Sequence, residues 1–182
     1  MIVGLVGQNC SGKDTAADYL VSKKGFERYS LSDYLREELE KEGKPVTREN
    51  LVEIGNRLRR EKGAGILGEK ALEHFKTGKN YVVISFRNPA EAKALKKRSD
   101  FVLVALQAPA RVRFERMKQR RREEDPKTFE EFLKLEQKEN EGGDALSVSK
   151  TMEMADYSID ASGSMDDERK EVGKLCLKLN LT

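Results

Sequence analysis

The residue types best suited to chemistry lie near the start of the 182-residue chain, where Gly7, Gly12 and Lys13 have the spacing G-x-x-x-x-G-K. In this pattern the glycines let consecutive backbone N–H groups turn toward phosphate oxygens, and the lysine brings a cation to them. Glycines also serve ordinary turns, but an apolar strand pattern before the loop and a helical pattern after it favour phosphate binding. We call residues 7–13 the phosphate loop. The residues predicted to bind the nucleotide are Gly7, Asn9, Ser11, Gly12, Lys13, Asp14 and Thr15.

Asp14 stands where such loops usually carry a serine or threonine whose hydroxyl binds Mg²⁺. A carboxylate is also a hard oxygen ligand, so Asp14 is a candidate Mg²⁺ ligand. Many nucleotide-hydrolysing folds place a further acid at the end of a neighbouring strand, where this chain has Ser85. Our hypothesis is that Asp14 takes over the role of that missing acid.

Short apolar segments alternate with helical patterns along the whole chain. The segments predicted as strands are residues 2–6, 26–29, 81–84, 101–106 and 157–159. This alternation predicts a three-layer α/β/α fold with a five-stranded parallel sheet. The length suits one sizeable core, so residues 1–182 are expected to form a single domain.

Polar residues follow two of the predicted strands. Asp33 and Arg36 come soon after the second strand, and Arg87 comes directly after the third. Ligands of open parallel sheets bind beyond the carboxyl ends of the strands, so these side chains are expected to face the cleft. The alternative is that Asp33 caps a helix that begins after Ser30, with Arg36 as its surface partner. Arg87 could likewise serve packing alone.

The helix after the fourth strand has a run of basic residues. They are Arg111, Arg113, Arg116, Lys118, Arg120, Arg121 and Arg122. The run can be a solvated face, a nucleic-acid patch or a clamp on nucleotide phosphates. Arg116 and Arg120 share one helix face, and Phe114 is the one aromatic residue among them, which favours the clamp over nucleic acid.

The composition restricts the partners. Lys plus Arg number 35 and Asp plus Glu number 32, so no strong overall field would attract nucleic acid or a membrane surface. The spacing of Cys10 and Cys176 matches neither a disulfide framework nor a zinc site, and the single His74 is taken as a packing residue. With no leader or membrane-spanning pattern, we expect a cytoplasmic protein.

Four separated segments resemble the P-loop nucleoside monophosphate kinases, and adenylate kinase in particular. The segment S-L-S-D-Y-L-R at 30–36 resembles that family's S-T-G-D-x-L-R, and G-K-P-V-T at 43–47 resembles its G-K-L-V-T. Phe86-Arg87 is similar to G-F-P-R, and E-R-M-K-Q-R-R at 115–121 is similar to D-R-I-x-G-R-R. The Gly-Lys-Asp-Thr form of the phosphate loop is similar to that of phage-type deoxynucleoside monophosphate kinases and some archaeal relatives.

The resemblance implies transfer of the γ-phosphoryl group of ATP, with Mg²⁺, to a nucleoside or deoxynucleoside monophosphate. It implies that Arg36 and Arg87 grip the acceptor phosphate and that Val46 lines the acceptor base pocket. Arg116 would stack on the donor adenine, and Arg120 would reach the transferring phosphate. Asp33 would orient the acceptor or, as a second metal ligand beside Asp14, the metal's waters. The residues predicted to be catalytic are Lys13, Arg87, Arg116 and Arg120.

The same resemblance divides the domain into parts. Residues 31–78 would form a helical acceptor-binding region, and residues 111–127 a short lid. The partners would be small-molecule nucleotides; the acceptor base, the sugar and the oligomeric state are left open by the sequence.

Two alternatives stay open. The segment A-D-Y-S-I-D-A-S-G at 155–163 resembles the ending of dephospho-coenzyme A kinase, although Arg36 follows Asp33 by three positions instead of four and an H-P pair is missing. The other alternative is a nucleotide-switched ATPase that acts on an RNA or protein partner.

Overall fold

The computed structural model describes residues 1–120, 125–140 and 147–181. Its centre is a five-stranded, all-parallel sheet with helices on both faces, which confirms the predicted fold class. The strands are β1 (Ile2–Val6), β2 (Glu27–Ser30), β3 (Tyr81–Ile84), β4 (Phe101–Gln107) and β5 (Tyr157–Asp160). They lie in the order β2-β3-β1-β4-β5.

The central strands are buried because helices cover the sheet on both sides. Every residue of β1 and of β3 is buried, as expected for strands that show no polar alternation. Consecutive side chains point to opposite layers: Val83 packs in one core cluster, and Val82 packs in the other.

The described helices occupy the connections between the strands and the segment after β5. They are α1 (Lys13–Lys24), α2 (Leu31–Lys41), α3 (Arg48–Lys62), α4 (Ile66–His74), α5 (Pro89–Leu95), α6 (Ala110–Arg120), α7 (Phe129–Asn140), α8 (Val148–Met152) and α9 (Met165–Lys178). The helices α1 and α9 pack together on one side of the sheet. The other side is covered by α2, α3, α4, α5 and α8.

Several helix ends lie at residues whose types favour capping. Gly25 ends α1 in the left-handed conformation with φ 67°. Ser30 and Asp33 form the capping box that begins α2, and the Thr47 hydroxyl accepts the backbone N–H of Asn50 at the start of α3.

Some boundaries differ from the prediction. The strand β2 begins at Glu27 because the N–H of Phe26 donates to the Leu20 carbonyl at the end of α1. The sequence pattern predicts a short helix over residues 151–155, whereas α8 begins earlier, at Val148. Its cap, Ser147, donates its own N–H to the Arg87 carbonyl (2.8 Å), a tertiary contact that the local sequence does not encode.

The predicted acceptor-binding region, residues 31–78, contains α2, α3 and α4, inserted between β2 and β3. The first part of the predicted lid, residues 111–127, lies within α6. This helix packs on α7 through Phe114, Met117 and Phe132. Arg121 and Arg122 lie outside the described residues, as does the loop predicted at residues 142–144. Their contributions stay predictions.

In the part of the chain that the structure describes, no helix is both long and apolar enough to cross a bilayer.

Candidate active site

The phosphate loop connects β1 to α1 at the carboxyl edge of the sheet. Lys13 folds back over it: its Nζ donates to the carbonyl oxygens of Gly7 (2.8 Å) and Gln8 (2.7 Å) and lies 3.4 Å from Ser11 Oγ. These contacts hold the ammonium group at the mouth of the loop, where the sequence predicted it.

The two glycines of the motif are needed for different reasons. A Cβ atom at Gly7 would lie 2.3 Å from Ser11 Oγ and 2.6 Å from the Leu106 carbonyl oxygen. Gly12 has φ 102°, a backbone conformation that residues with a side chain rarely adopt. In addition, a Cβ atom at Gly12 would lie 2.2 Å from Glu168 Oε2. The loop therefore packs directly on β4 and on α9.

Burial and the positive charge of Arg87 lower the pKa of Lys13 to about 8. The ammonium form still predominates at neutral pH. A polyphosphate bound beside it would favour that charged form further.

Two cavities meet at the phosphate loop, and Lys13 lines both. The larger one is an open cleft of about 890 Å³ between the loop, α6 and the start of α9. The smaller one, of about 80 Å³, lies on the side of β3. We call them the large cleft and the small cavity. The small cavity is lined by Gly7, Gln8, Asn9, Lys13, Ser85, Phe86, Arg87, Glu136 and Val148.

Arg116 and Arg120 both line the large cleft, as their shared helix face predicted. The Arg116 guanidinium donates to the carbonyl oxygens of Ala161 (2.7 Å) and Gly163 (2.8 Å) and reaches that of Cys10 at 3.4 Å. It thereby joins the phosphate loop to the β5–α9 loop across the cleft.

Arg120 forms an ion pair with Asp125, in which Nε lies 2.7 Å from Oδ2. This hydrogen bond raises the pKa of Arg120, which therefore stays charged. Asp125 is thus the group that an incoming phosphate would have to replace as the partner of Arg120.

Asp14 lies in the first turn of α1, at the edge of the large cleft, and its side chain is 82% exposed. Its carboxylate pairs with Arg28 of β2, whose other nitrogen donates to Asp18 (2.9 Å). Among the described residues no group of three or more His, Cys, Asp or Glu side chains could hold a metal ion.

The small cavity brings Arg87, which follows β3, together with Lys13 of the phosphate loop. Ser85 lies beside them at the end of β3 and has a positive φ of 71°, a conformation that is uncommon for a residue other than glycine. Its Oγ is 2.8 Å from Ser30 Oγ at the end of the neighbouring β2. The strand-tip position is therefore held by a pair of hydroxyl groups.

The other predicted acceptor residues lie outside the linings of both cavities. Asp33 Oδ2 accepts the backbone N–H of Ser30 (2.9 Å), and Asp33 Oδ1 accepts from Arg36 (2.6 Å). Val46 is 54% exposed in the turn before α3. The contacts of Asp33 are those of a capping acid with a surface partner, and any role of Asp33, Arg36 and Val46 toward a substrate stays a prediction.

Five charged residues are buried in the part of the chain that the structure describes, and their burial was not predicted from the sequence: Arg59, Glu91, Arg113, Glu136 and Glu168. Glu91 could have been found, because Asn88 and Glu91 have the spacing of a capping box. Glu168 lies four residues before Val172 and seven before Leu175, on the apolar stripe of α9. The sequence signal for the burial of Glu168 was therefore a charged residue on an otherwise apolar helix face.

Glu168 lines the large cleft, yet its side chain is almost fully buried against Gly12. Among the described residues, no hydrogen-bond partner contacts its buried Oε1. Burial raises the pKa of Glu168 to about 7, against the opposing charges of Arg116, Arg169 and Lys13. The acid beside the phosphate loop is therefore partly neutral near physiological pH.

The fold and this site define the class of the protein: a P-loop domain of the kinase type. A family model described as an AAA domain matches residues 3–142. A UPF0200 protein of Thermococcus kodakarensis is 34% identical over 182 residues, which cover 96% of each chain. The Pyrococcus horikoshii UPF0200 protein is 34% identical, over 98% of this chain and 97% of its own length.

The chain therefore belongs to the UPF0200 family. A UPF0200/UPF0201 protein of Archaeoglobus fulgidus is 33% identical, and its match covers 98% of this chain but 55% of that protein. The chain thus spans about half the length of that relative.

Solved structures of kinases share the fold. Shikimate kinase from Bacteroides thetaiotaomicron has a TM-score of 0.62 at 19% identity, covering 100% of this chain and 99% of its own. Shikimate kinase from Acinetobacter baumannii, in complex with shikimate, has a TM-score of 0.58 at 17% identity, covering 98% of this chain and 93% of its own. At these identities the likeness concerns the fold alone.

Proposed function

We propose that this protein is an ATP-dependent phosphotransferase that moves the γ-phosphoryl group of ATP to the phosphate of a nucleoside or deoxynucleoside monophosphate. The observation that carries the proposal is that Lys13 lines both the large cleft and the small cavity. A cation at the junction of two cavities suits the point at which a phosphoryl group passes from donor to acceptor.

The large cleft is the proposed donor site. Its volume of about 890 Å³ is within the range of sites that take ligands of nucleotide size. The phosphates would lie on the N–H groups of the phosphate loop and at the N-terminal end of α1, where the helix dipole favours negative charge. Arg116 would stack on the adenine, and Arg120 would leave Asp125 to reach the transferring phosphate.

The small cavity is the proposed site of the acceptor's phosphate. At about 80 Å³ it has room for one phosphate group and not for a nucleoside. Arg87 and Lys13 supply the positive charge that a phosphate needs. The base and sugar would extend toward α2 and α3, the region of Arg36 and Val46.

Mg²⁺ is the metal that this class of fold implies, and the residues fit it on the donor side. Asp14 presents an exposed carboxylate at the edge of the large cleft, and Mg²⁺ commonly uses one or two carboxylates together with substrate phosphates and water. When bound, the ion would neutralise charge on the β- and γ-phosphates. The contacts of Asp33 with Ser30 and Arg36 favour Asp14 as the first ligand to test.

Catalysis would come from positioning and charge, because phosphoryl transfer passes through a loose, metaphosphate-like transition state that needs little acid–base help. Lys13 and Arg120 would stabilise the charge that develops on the transferring group. Arg87 would hold the acceptor oxygen in line with it.

Transfer to a hydroxyl group is the second candidate, and Glu136 favours it. This carboxylate lines the small cavity, and a carboxylate can accept the proton of an attacking hydroxyl. The sequence likeness to dephospho-coenzyme A kinase, and the fold shared with shikimate kinases, are consistent with such an acceptor.

One panel of acceptors tests these proposals. ADP formation from Mg-ATP would be measured with each ribo- and deoxynucleoside monophosphate, with dephospho-coenzyme A and with shikimate. We expect one nucleoside monophosphate to stimulate turnover to about 1 per second or more. Stimulation by dephospho-coenzyme A or shikimate alone would establish a hydroxyl acceptor instead, and ADP formation that ignores every acceptor would refute both candidates.

Arg87→Met tests the role of the cation in the small cavity. We expect kcat with the preferred acceptor to fall by about 10²- to 10³-fold while the unfolding midpoint changes little, because a transition-state cation is lost. Arg98→Met is the matched control, since Arg98 is an exposed arginine paired with Asp100. Lost stability with turnover retained would mean that Arg87 serves packing.

A further inference from the structure

One buried acid accepts backbone N–H groups of the loop that carries Arg87. Glu91, in the first turn of α5, is 0% exposed. Its Oε2 accepts the backbone N–H groups of Arg87 (2.8 Å) and Asn88 (3.0 Å). This one carboxylate oxygen therefore holds the N–H side of the Arg87 backbone, whose carbonyl oxygen accepts the N–H of Ser147.

The other oxygen of Glu91 is held by an arginine from a different part of the molecule. Arg59 of α3 donates to Glu91 Oε1 from Nε (3.2 Å) and from Nη2 (2.8 Å), and its side chain is 7% exposed. The pair joins residues that are 32 positions apart in sequence. It connects the helical region 31–78 to the loop at the end of β3.

The packing around the pair is close on both of its sides. A Cβ atom at Gly55 would lie 3.1 Å from Arg59 Nη1, so the glycine makes room for the guanidinium group. A Cβ atom at Gly68 of α4 would lie 2.4 Å from the Glu91 carbonyl oxygen. The backbones of α4 and α5 are therefore in direct contact, and the Arg59–Glu91 ion pair connects α3 to α5.

A buried ion pair is more than the helix cap requires. Asn88 already caps α5 by accepting the Ala90 N–H (2.8 Å), and a neutral side chain could accept the remaining N–H groups. Burying two charges carries a desolvation cost that often outweighs their attraction, so stability alone is a weak reason for the pair. Fixing the geometry of the Arg87 loop is a reason that the contacts supply directly.

We propose that Arg59 and Glu91 are positioning residues that couple α3 to Arg87, so that acceptor binding against the helical region sets the place of the Arg87 guanidinium in the small cavity. The coupling rests on the proposed function in one respect, namely that Arg87 contacts the acceptor. The chain of contacts runs from Arg59 through the Glu91 carboxylate to the N–H groups of Arg87 and Asn88.

Kinetics would separate this role from a general loss of stability. In Arg59→Met the Glu91 carboxylate loses its cation, and Arg87 is no longer held in the reactive position. We expect KM for the acceptor to rise and kcat to fall by about 10²-fold, as for small misplacements of a positioning group. KM for ATP stays within about twofold, because the large cleft is lined by other residues. Arg59→Lys keeps the charge but not the two-nitrogen contact, so it rescues turnover in part.

Amide hydrogen exchange tests the coupling without any turnover. In Arg59→Met the amides of Arg87 and Asn88 should exchange at least tenfold faster than in the wild type, while those of β1 keep their rates. Arg57→Met is the matched control: Arg57 lies on the same helix and pairs with Glu42 at the surface, so it leaves the two amides unchanged.

Each outcome decides the proposal. Unchanged exchange at Arg87 and Asn88 in Arg59→Met overturns it, as does an equal acceleration of all amides. If Arg59→Met does not fold, Arg59→Lys carries the test: a selective acceleration supports the coupling, and unchanged exchange overturns it. Absence of acceptor-stimulated turnover in the wild-type protein would refute the proposed function instead, and the exchange result would still report on the coupling.

Discussion

At the scale of single residues, two acids flank the phosphate loop in opposite environments. Asp14 is exposed at the edge of the large cleft and paired with Arg28. Glu168 is 2% exposed and packed against Gly12. Asp14 is in a position to bind a cation from solvent. Ionised Glu168 costs folding free energy, because its carboxylate has been removed from water.

Asp14→Asn should weaken the Mg²⁺ dependence of nucleotide binding. ATP binding becomes tighter as Mg²⁺ is added, and the Mg²⁺ concentration at the midpoint of this effect measures the metal site. We expect the loss of one carboxylate ligand to raise this midpoint by about tenfold. Binding of a fluorescent ATP analogue, titrated with Mg²⁺, measures this directly. Asp18→Asn is the control, because Asp18 pairs with the same Arg28. An unchanged Mg²⁺ midpoint in Asp14→Asn would remove Asp14 from the metal site.

Glu168→Gln should stabilise the protein at alkaline pH. The pKa of Glu168 is about 7 in the fold against an ordinary 4.5, so the folded state binds more protons than the unfolded state between these values. The contribution of Glu168 to the free energy of unfolding therefore falls as pH rises from 4.5 to about 7. Above pH 7 the full cost of burying the charged carboxylate is present. The glutamine variant should be more stable by roughly 2–3 kcal/mol at pH 8 and by little at pH 4.5.

Urea unfolding at the two pH values measures the Glu168 effect. The matched control is Glu171→Gln, because Glu171 lies on the same helix, is exposed and pairs with Lys174. An equal stability change at both pH values would show that the charge of Glu168 is not the cause.

At the scale of elements, α6 is fixed to the phosphate loop by a buried arginine. Arg113 donates from Nε to the Ala108 carbonyl (2.8 Å) and from Nη2 to Glu136 Oε2 of α7 (2.9 Å), and it reaches the Asn9 carbonyl at 3.4 Å. One guanidinium group thereby joins α6, α7 and the phosphate loop. The helix that brings Arg116 and Arg120 to the large cleft depends on it for its position.

Arg113→Met should destabilise the fold by about 3–5 kcal/mol, because Glu136 would be left as an unpaired buried charge. The double variant Arg113→Met with Glu136→Leu should recover most of that loss. Lys118→Met, on the exposed face of α6, removes an ion pair with Glu115 and should change stability by less than about 1 kcal/mol. Denaturant unfolding of the four proteins gives the comparison, and a double variant no better than Arg113→Met would contradict the explanation.

At the scale of the whole molecule, the nearly balanced charge bears on the alternative of an RNA-directed ATPase. The 35 basic and 32 acidic residues create little overall attraction for a polyanion. In addition, several arginines of the basic run already have partners within the chain: Arg113 has Glu136, Arg116 has backbone carbonyls and Arg120 has Asp125.

The protein should therefore bind RNA no more tightly than about 10⁻⁴ M at physiological salt, the weak end of nonspecific binding. Fluorescence anisotropy of a labelled single-stranded RNA at two salt concentrations measures this affinity. A Kd below about 10⁻⁶ M with a steep salt dependence, together with RNA-stimulated ATP hydrolysis, would support an ATPase that acts on RNA instead of a kinase with a nucleotide acceptor.

Much of the fold could be predicted from the sequence, because its signals are local. The buried strands show as apolar runs, and the caps at Gly25, Ser30 and Thr47 depend on residues within a few positions. The phosphate loop is local as well, since its glycines and Lys13 are continuous in the chain. These features need only short-range geometry, so the amino-acid sequence determined them by itself.

The tertiary structure alone decided which distant groups meet. Arg59 and Glu91 are 32 positions apart, Arg113 and Glu136 are 23 apart, and Arg116 and Cys10 are 106 apart. Each pairing depends on how helices pack on the sheet, and helical periodicity gives only the face of a side chain, not its partner. The sequence can place a charge on an apolar helix face, as it does for Glu168, but only the packed fold shows which partner a buried charge meets.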